Sequence, residues 1–206
     1  MTKVAPSPLT RLLDRMTALP SGRTWPVVAT ITMTLALAAS PARASMALAM
    51  DLQELTAQAD RVVVGEVLSV KSAWEPDHKR IFTNIEVQVA DSWKGTAPAG
   101  GKIVIQQPGG QVGDIESRVY GLAQFQVGDR AVMFLKGTPR ASAVLGLGQG
   151  VRALHFDELA HQWMVLGGDR SAAVIPDRQG RFIPAAPEAS LPLEALRARI
   201  LLLVKP

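Results

Sequence analysis

The stretch from residue 81 to residue 89, Ile-Phe-Thr-Asn-Ile-Glu-Val-Gln-Val, is the clearest β-strand signal in the sequence. Its odd positions include Ile85 and Val87, whereas the even positions between and after them hold Glu86 and Gln88. Alternation with a period of two is typical of a strand that has one buried face and one wet face. We therefore expect Ile85 and Val87 in the core and the two polar side chains on the opposite face.

Further strands are predicted on both sides of this stretch. Residues 61–70 are rich in Val, which favours a strand covered on both faces, and Gly65 inside that run predicts a bulge or a sharp bend. Other short strands are predicted at residues 102–106, 131–135, 151–156 and 162–166, the last two as a hairpin, and a last small hairpin at residues 174–175 and 182–183 is left open. Five to seven short strands with Gly-rich connections predict a mainly β fold, either a small closed or partly open barrel of the OB-like type or a sandwich.

Two helices are expected to flank the strands. Residues 51–59 predict one or two helical turns, with Leu55 on the apolar side. Residues 190–206 carry apolar side chains at helical spacing, among them Leu196 and Ile200, which predicts one amphipathic helix packed on the barrel. The expected organisation is a leader over residues 1–44, a β domain over 45–189 and this C-terminal helix.

The leader has the order of a secretory signal peptide. A basic segment (1–24) precedes an uncharged, largely apolar segment (25–40), and Ala42-Arg43-Ala44 forms an Ala-x-Ala cleavage site. We expect cleavage after Ala44. Cleavage after Ala49 and a start at Met16 remain open alternatives. The apolar segment is short for a transmembrane helix, which needs about 20 residues, so we expect an exported periplasmic or extracellular protein with no stable membrane span after cleavage.

The charge distribution excludes some classes of function. Residues 1–44 hold five basic residues and one acidic residue, and the remaining 162 residues hold 17 of each, so the leader carries the whole net charge of +4. A balanced mature chain argues against nucleic-acid binding. The chain has no cysteine, which excludes disulfides, a thiolate nucleophile and Cys-ligated metal, and no cofactor is expected.

A long connection at residues 107–129 does not fit a minimal barrel. Long ordered connections in compact domains are often functional, and this one holds Asp114, Glu116, Arg118 and Tyr120, which we take as candidate binding residues. An alternative remains open, in which the connection is a flap whose apolar side chains cover one end of the barrel. In that case Arg118 pairs with Asp114 or Glu116 on the surface.

A series of short motifs resembles a group of uncharacterised exported bacterial β-barrel proteins, which are distantly similar to the OB-like fold of netrin and metalloproteinase-inhibitor domains. The motifs lie within residues 51–155 and consist of strands and glycines, namely Asp60–Val67, Arg80–Thr83, Trp93–Gly95, Pro108–Gly110, Gly121–Phe125, Val127–Asp129 and Gly148–Gly150. The resemblance implies a barrel and no catalytic residue. The inhibitor domains use an N-terminal cysteine against the protease zinc, and this chain has none, so that chemistry is not implied.

The sequence also offers one possible metal site. His155, Asp157 and His161 are close in sequence around a predicted hairpin turn, and His and carboxylates are common zinc ligands. Their spacing is not that of the H-E-x-x-H motif, and a solvated turn with one partly packed histidine is the favoured interpretation.

These observations favour a non-enzymatic module over an enzyme. The sequence has no G-x-S-x-G motif and no G-x-G-x-x-G motif. We expect an exported module that binds a protein partner, such as a secreted peptidase or an envelope protein, through residues 107–129. The alternative is a small exported metal-dependent hydrolase that uses His155 and His161. The sequence carries no signal for an oligomeric state.

Overall fold

The centre of the fold is a long antiparallel hairpin in the computed structural model, which describes residues 46–97 and 100–204. The strands in chain order are β1 (Ala47–Leu48), β2 (Arg61–Trp74), β3 (Ile81–Lys94), β4 (Lys102–Pro108), β5 (Gly110–Val112), β6 (Ile115–Ser117), β7 (Arg130–Thr138), β8 (Ala141–Val144), β9 (Val151–Asp157), β10 (Gln162–Val165), β11 (Ala173–Pro176), β12 (Phe182–Pro184) and β13 (Leu191–Pro192). The helices described are α1 (Leu52–Gln58) and α2 (Leu193–Val204), and a 3-10 turn spans Leu147–Gly150. The expected mainly β fold with a short N-terminal helix and a C-terminal helix is therefore confirmed.

The predicted phase of β3 is confirmed. Ile85 and Val87 are fully buried, whereas Glu86 and Gln88 are half-buried on the other face. The pairing of β2 with β3 shifts register between Val64 and Gly65, which confirms the predicted irregularity. A Cβ added to Gly65 would lie 2.5 Å from Val87 Cγ1 and 2.7 Å from the carbonyl oxygen of Gln88, so the fold favours glycine at this position.

Five strands curve into a partly open barrel. Around it the pairing order is β7-β2-β3-β4-β8, and β8 also pairs with β7. The seam between β4 and β8 is joined by only one residue pair, Ile105 with Ser142, so the sheet is not a closed barrel. Of the predicted alternatives, the partly open barrel is the one that agrees with this pairing.

The sheet is larger than expected because three more strands extend it beyond the barrel. The main sheet has eight strands, since β9, β10 and β13 follow one another outward from β7. A separate sheet of three strands joins β1, β11 and β12, with β1 parallel to β11. The sequence predicted the hairpin β9–β10 and left the hairpin β11–β12 open, and both are present.

Two apolar clusters lie on opposite faces of the main sheet. The cluster inside the barrel includes Val63, Ile85, Val87, Ile105 and Met133. The cluster on the other face joins the sheet to the helices, and its buried members are Leu55, Ala59, Val62, Trp93, Val132, Phe134, Val165, Leu196 and Ile200. Neighbouring residues of β2 and β7 thus enter different cores, which explains why these strands are apolar on both faces.

Both predicted helices are present, and their buried residues include those that the sequence predicted. Helix α1 begins with a capping box between Asp51 and Glu54. Helix α2 begins at Leu193, three residues later than expected, because Leu191 and Pro192 pair with β10 as a short strand. Its buried positions are Leu196 and Ile200, as predicted.

The predicted signal peptide of residues 1–44, with its cleavage residues Ala42 and Ala44, lies outside the described residues. In the part of the chain that the structure describes, neither helix has the length and apolar character needed to cross a membrane.

Candidate functional site

The 107–129 connection contains a small hairpin that the sequence did not predict. The connection begins at the end of β4. Within it, β5 and β6 pair antiparallel, with Val112 opposite Ile115. Their two-residue turn is Gly113-Asp114, and Gly113 has a φ of +59°, which glycine adopts without strain. The hairpin places Asp114 at its exposed tip and Glu116 on β6.

A cavity of about 550 Å³ lies between this connection and the mouth of the barrel. Its wall on the barrel side includes Val70 of β2, Ile85 of β3 and Gln107 of β4, and its other wall is formed by residues 116–125. The cavity thus lies beyond Ile105, the residue of β4 that pairs with β8. The ends of β2, β3 and β4 and the long connection together enclose this space.

A row of polar side chains crosses three strands at the cavity wall. Ser72 pairs in register with Thr83, and Thr83 pairs with Gln107. Ser72 Oγ and Thr83 Oγ1 are 2.9 Å apart, and Thr83 Oγ1 donates to the carbonyl of Gly109 at 2.8 Å. Because a hydroxyl donates only one hydrogen, Ser72 is the donor to Thr83 and keeps its own oxygen lone pairs available.

The position of Gly110 gives a structural reason for the Pro108-Gly109-Gly110 motif. Its φ is +128°, and an added Cβ would overlap both the Ser72 and the Thr83 hydroxyl oxygens. The backbone of β5 therefore passes directly over the hydroxyl pair, and only glycine permits this approach.

Gln107 is the buried member of the polar row. It follows Ile103 and Ile105 in the inward phase of β4, and it is only 7% exposed. Its side-chain Nε2 is buried and has no hydrogen-bond partner. Gln107 lines the cavity, but Nε2 itself has essentially no accessible surface, so this atom is closed off from the cavity.

Three of the four predicted binding residues line the cavity, namely Glu116, Arg118 and Tyr120. We call these three residues the rim. Asp114 does not line the cavity. Arg118 Nε donates to the Glu116 carboxylate, and this hydrogen bond and the charge of Glu116 raise the pKa of Arg118. In the alternative interpretation Arg118 forms an ion pair on the surface. The structure shows this ion pair with Glu116 and not with Asp114.

Tyr120 is exposed despite its size. Its relative exposure is 69%, and the side chain of Arg118 is 72% exposed. An exposed ion pair such as Arg118–Glu116 contributes about 0–1 kcal/mol to stability. The rim therefore presents two large side chains that the fold does not need for its core.

The apolar part of the connection acts as a cover, as the flap alternative expected. Phe125 packs against the barrel core, and Val119 and Leu122 line the cavity half-buried. Ile115, another apolar residue of this connection, is 55% exposed and does not belong to the cover. The backbone is also anchored, because Gly148 N donates to Gly121 O at 2.7 Å.

The structure does not bring the histidine candidates together as a metal site. His155 and His161 are exposed, and His161 has a φ of +48° in the turn between β9 and β10. Asp157 Oδ1 accepts hydrogen bonds from the backbone N–H groups of Leu159 and Ala160, so it stabilises the turn. Within residues 46–97 and 100–204, no group of three or more His, Asp or Glu residues is arranged to hold a metal ion.

Sequence reasoning did not identify Ser72, Thr83, Gln107 and Asp169 as cavity residues. A signal existed for Gln107, because the alternation of Ile103 and Ile105 continues inward to residue 107. A signal also existed for Thr83, which occupies the buried phase of β3. The proximity of Asp169 depends on how a distant loop packs, and no local pattern reports it.

No model of a protein family matches this sequence, and its comparison with curated proteins gives no match. The cavity and its rim must therefore be interpreted from their own chemistry.

Proposed function

We propose that this protein is an exported, non-enzymatic module that binds a protein partner through the rim. The partner is a secreted peptidase or another protein of the cell envelope. The observation that carries the proposal is the exposure of Tyr120 and Arg118 side by side at the edge of a cavity. Tyr and Arg are the side chains that, with Trp, most often anchor protein interfaces.

The surroundings of the rim support binding by a preformed surface. Glu116 fixes the guanidinium of Arg118, and the backbone behind Tyr120 is anchored through Gly121. Fixing these groups before contact lowers the entropy that association has to overcome. A partner that pairs with Arg118 also gains an already oriented donor.

The segment that follows the predicted cleavage site favours Ala44 over Ala49 as the cleavage position. Ala47 N donates to Ala172 O at 3.0 Å, and Ala49 N donates to Val174 O at 2.9 Å. Cleavage after Ala44 leaves this pairing intact, whereas cleavage after Ala49 removes it. The fold is thus compatible with a mature chain that begins at residue 45.

The test is affinity capture from the native envelope with the processed chain, followed by mass spectrometry. The rim variant combines Arg118→Ala with Tyr120→Ala. The matched control combines Arg140→Ala with Leu159→Ala, since both residues are exposed in turns away from the rim. We expect both variants to melt like the parent and only the rim variant to lose the captured partner. A folded rim variant that captures the same proteins in the same amounts would refute the proposal.

A further inference from the structure

We propose that the small sheet formed by β1, β11 and β12 rests with its outer face on the surface of an anionic lipid bilayer. This inference goes beyond the proposed function, because the rim takes no part in it. It assigns a second binding surface, with a lipid partner, to a part of the domain that the rim does not include.

Strand pairing places five apolar side chains on one face of this sheet. Cross-strand partners share a face, and every second residue of a strand lies on that face. Leu48 pairs with Val174, which pairs with Pro184. Pro176, two residues after Val174, pairs with Phe182. We call the side chains of these five residues the outer face.

The outer face is exposed although it holds no polar side chain. Leu48 and Phe182 are each 60% exposed, and Met46, which precedes β1, is 64% exposed. The opposite face packs on the domain, where Ala173 of β11 is only 2% exposed. Exposed apolar patches mark sites that bind proteins or membranes. Side chains without polar atoms offer a protein partner no hydrogen bond, whereas a bilayer interface requires only apolar area.

The size of the outer face favours a bilayer over a second protein. A standard protein interface takes about 20–30 residues and about 800 Å² from each partner. The outer face supplies only eight residues when Met46 and the exposed Ile175 and Ile183 are added to it. Attachment to a bilayer has no such threshold, because its strength grows with the apolar area that is buried.

Positive charge borders the outer face. The turn between Pro176 and Phe182 holds Arg178 and Arg181 but only one carboxylate, that of Asp177. Asp177 pairs with Arg181, and Arg178, which is exposed, has no ion-pair partner among residues 46–97 and 100–204. Basic side chains near an anionic bilayer surface add to binding. The turn therefore complements anionic headgroups at the edge of the apolar face.

The position of β1 in the chain agrees with this placement. The apolar segment of the predicted leader ends at residue 40, and β1 begins at Ala47. Seven residue steps span at most about 25 Å, so β1 begins within that distance of the membrane while the leader is inserted in it. This step depends on the predicted leader, whereas the exposure, size and charge of the outer face do not.

The test is flotation of the processed chain with vesicles of equal parts of phosphatidylglycerol and phosphatidylcholine. The face variant combines Leu48→Ser with Phe182→Ser. The matched control combines Leu159→Ser with Leu202→Ser, because both leucines are exposed outside this sheet. We expect the parent and the control to float with the vesicles. The face variant should melt like the parent and bind ~10-fold or more weakly, because it loses apolar area from the contact.

A second pair of variants tests the charge. Arg178→Gln should bind the same vesicles about 5-fold more weakly, the contribution of one basic side chain near an anionic surface. Arg140→Gln is the control, since Arg140 is exposed in the turn between β7 and β8, and it should bind like the parent. Vesicles of phosphatidylcholine alone should bind the parent more weakly than the anionic vesicles do.

Several outcomes would overturn the inference. They are a parent that does not float at millimolar lipid, a face variant or an Arg178→Gln variant that binds like the parent, and equal binding to both kinds of vesicle. A parent that stays unbound but self-associates through Leu48 and Phe182 would show that the face joins two copies. The variant that combines Arg118→Ala with Tyr120→Ala should float like the parent. If it does not, the rim contacts the lipid and the outer face is not the attachment surface.

Discussion

Gln149 Oε1 accepts a hydrogen bond from the backbone N–H of Met50, with 2.8 Å between the two atoms, although 99 residues separate them in the sequence. Gln149 Nε2 also donates to the carbonyl of Leu48 at 3.1 Å. Gln149 itself is only 3% exposed. One buried side chain therefore holds the backbone on both sides of Ala49 and fixes the start of the described chain to the domain.

Gln149→Ala should destabilise the domain by about 1–3 kcal/mol, because it leaves two backbone groups without their partner in a partly buried place. Urea unfolding measures the difference. Gln53→Ala is the matched control, since Gln53 is exposed on α1, and it should change stability by less than ~0.5 kcal/mol. Equal unfolding midpoints for the two variants would show that the contacts of Gln149 contribute nothing.

The contacts of Gln149 with Leu48 and Met50 also lead to a prediction about cleavage of the signal peptide. We predict that the exported protein begins at Ser45, because cleavage there keeps the residues that pair with β11 and with Gln149. N-terminal sequencing of the exported chain checks this. A mature protein that begins at Met50 would mean that β1 is not part of the exported fold.

Val87→Asp should destabilise severely, by at least ~4 kcal/mol, because it places an unpaired charge inside the barrel where Val87 has no exposure. Gln88→Asp, on the half-buried opposite face, should cost far less. The melting temperatures of the two variants test this prediction. If both melt at the same temperature, the assignment of the two faces of β3 is wrong.

Gly110→Ala should disrupt the hairpin over the Ser72–Thr83 pair, because its Cβ would overlap both hydroxyls and its φ of +128° is unfavourable for alanine. Gly113→Ala is the control, since Gly113 also has a positive φ but its Cβ would meet open space. We expect the Gly110 variant to lose about 2 kcal/mol or more and the control about 1 kcal/mol. A Gly113 variant that loses as much as the Gly110 variant would show that backbone strain, and not the close approach, is decisive.

Glu86 gives a prediction about pH. Lys102 Nζ lies 2.6 Å from Glu86 Oε1, and this hydrogen bond and the charge of Lys102 lower the pKa of Glu86. Because the pKa is lower in the folded than in the unfolded chain, the pair stabilises the fold above the unfolded pKa, and the contribution is lost as pH falls through the folded pKa. Lys102→Ala should raise the pKa of Glu86 in an NMR titration. An unchanged titration curve would mean that the two side chains do not pair in solution.

The features that the sequence predicted correctly are those that depend on residues close together in the chain. The alternation around Ile85 and Val87 assigned the buried face of β3, and Gly65 marked the irregular pairing of β2. It did not predict the β5–β6 hairpin, because three-residue strands are too short to show a period. It also placed the start of α2 too early, because Pro192 suits a first helical turn and a short edge strand equally well.

The sequence by itself determined a mainly β domain with helices at both ends, and it predicts a leader over the first residues and a binding role for Arg118 and Tyr120 in a long connection. Only the tertiary structure decided that residues 116–125 of this connection line a cavity at the mouth of the barrel and that Gln107, Thr83 and Ser72 form one polar row. The physical reason is that periodicity records which face of its own strand a residue occupies, whereas the cavity depends on the register between strands. That register is set by the packing of the whole domain, and it brings Ser72, Thr83 and Gln107 to one wall of the cavity.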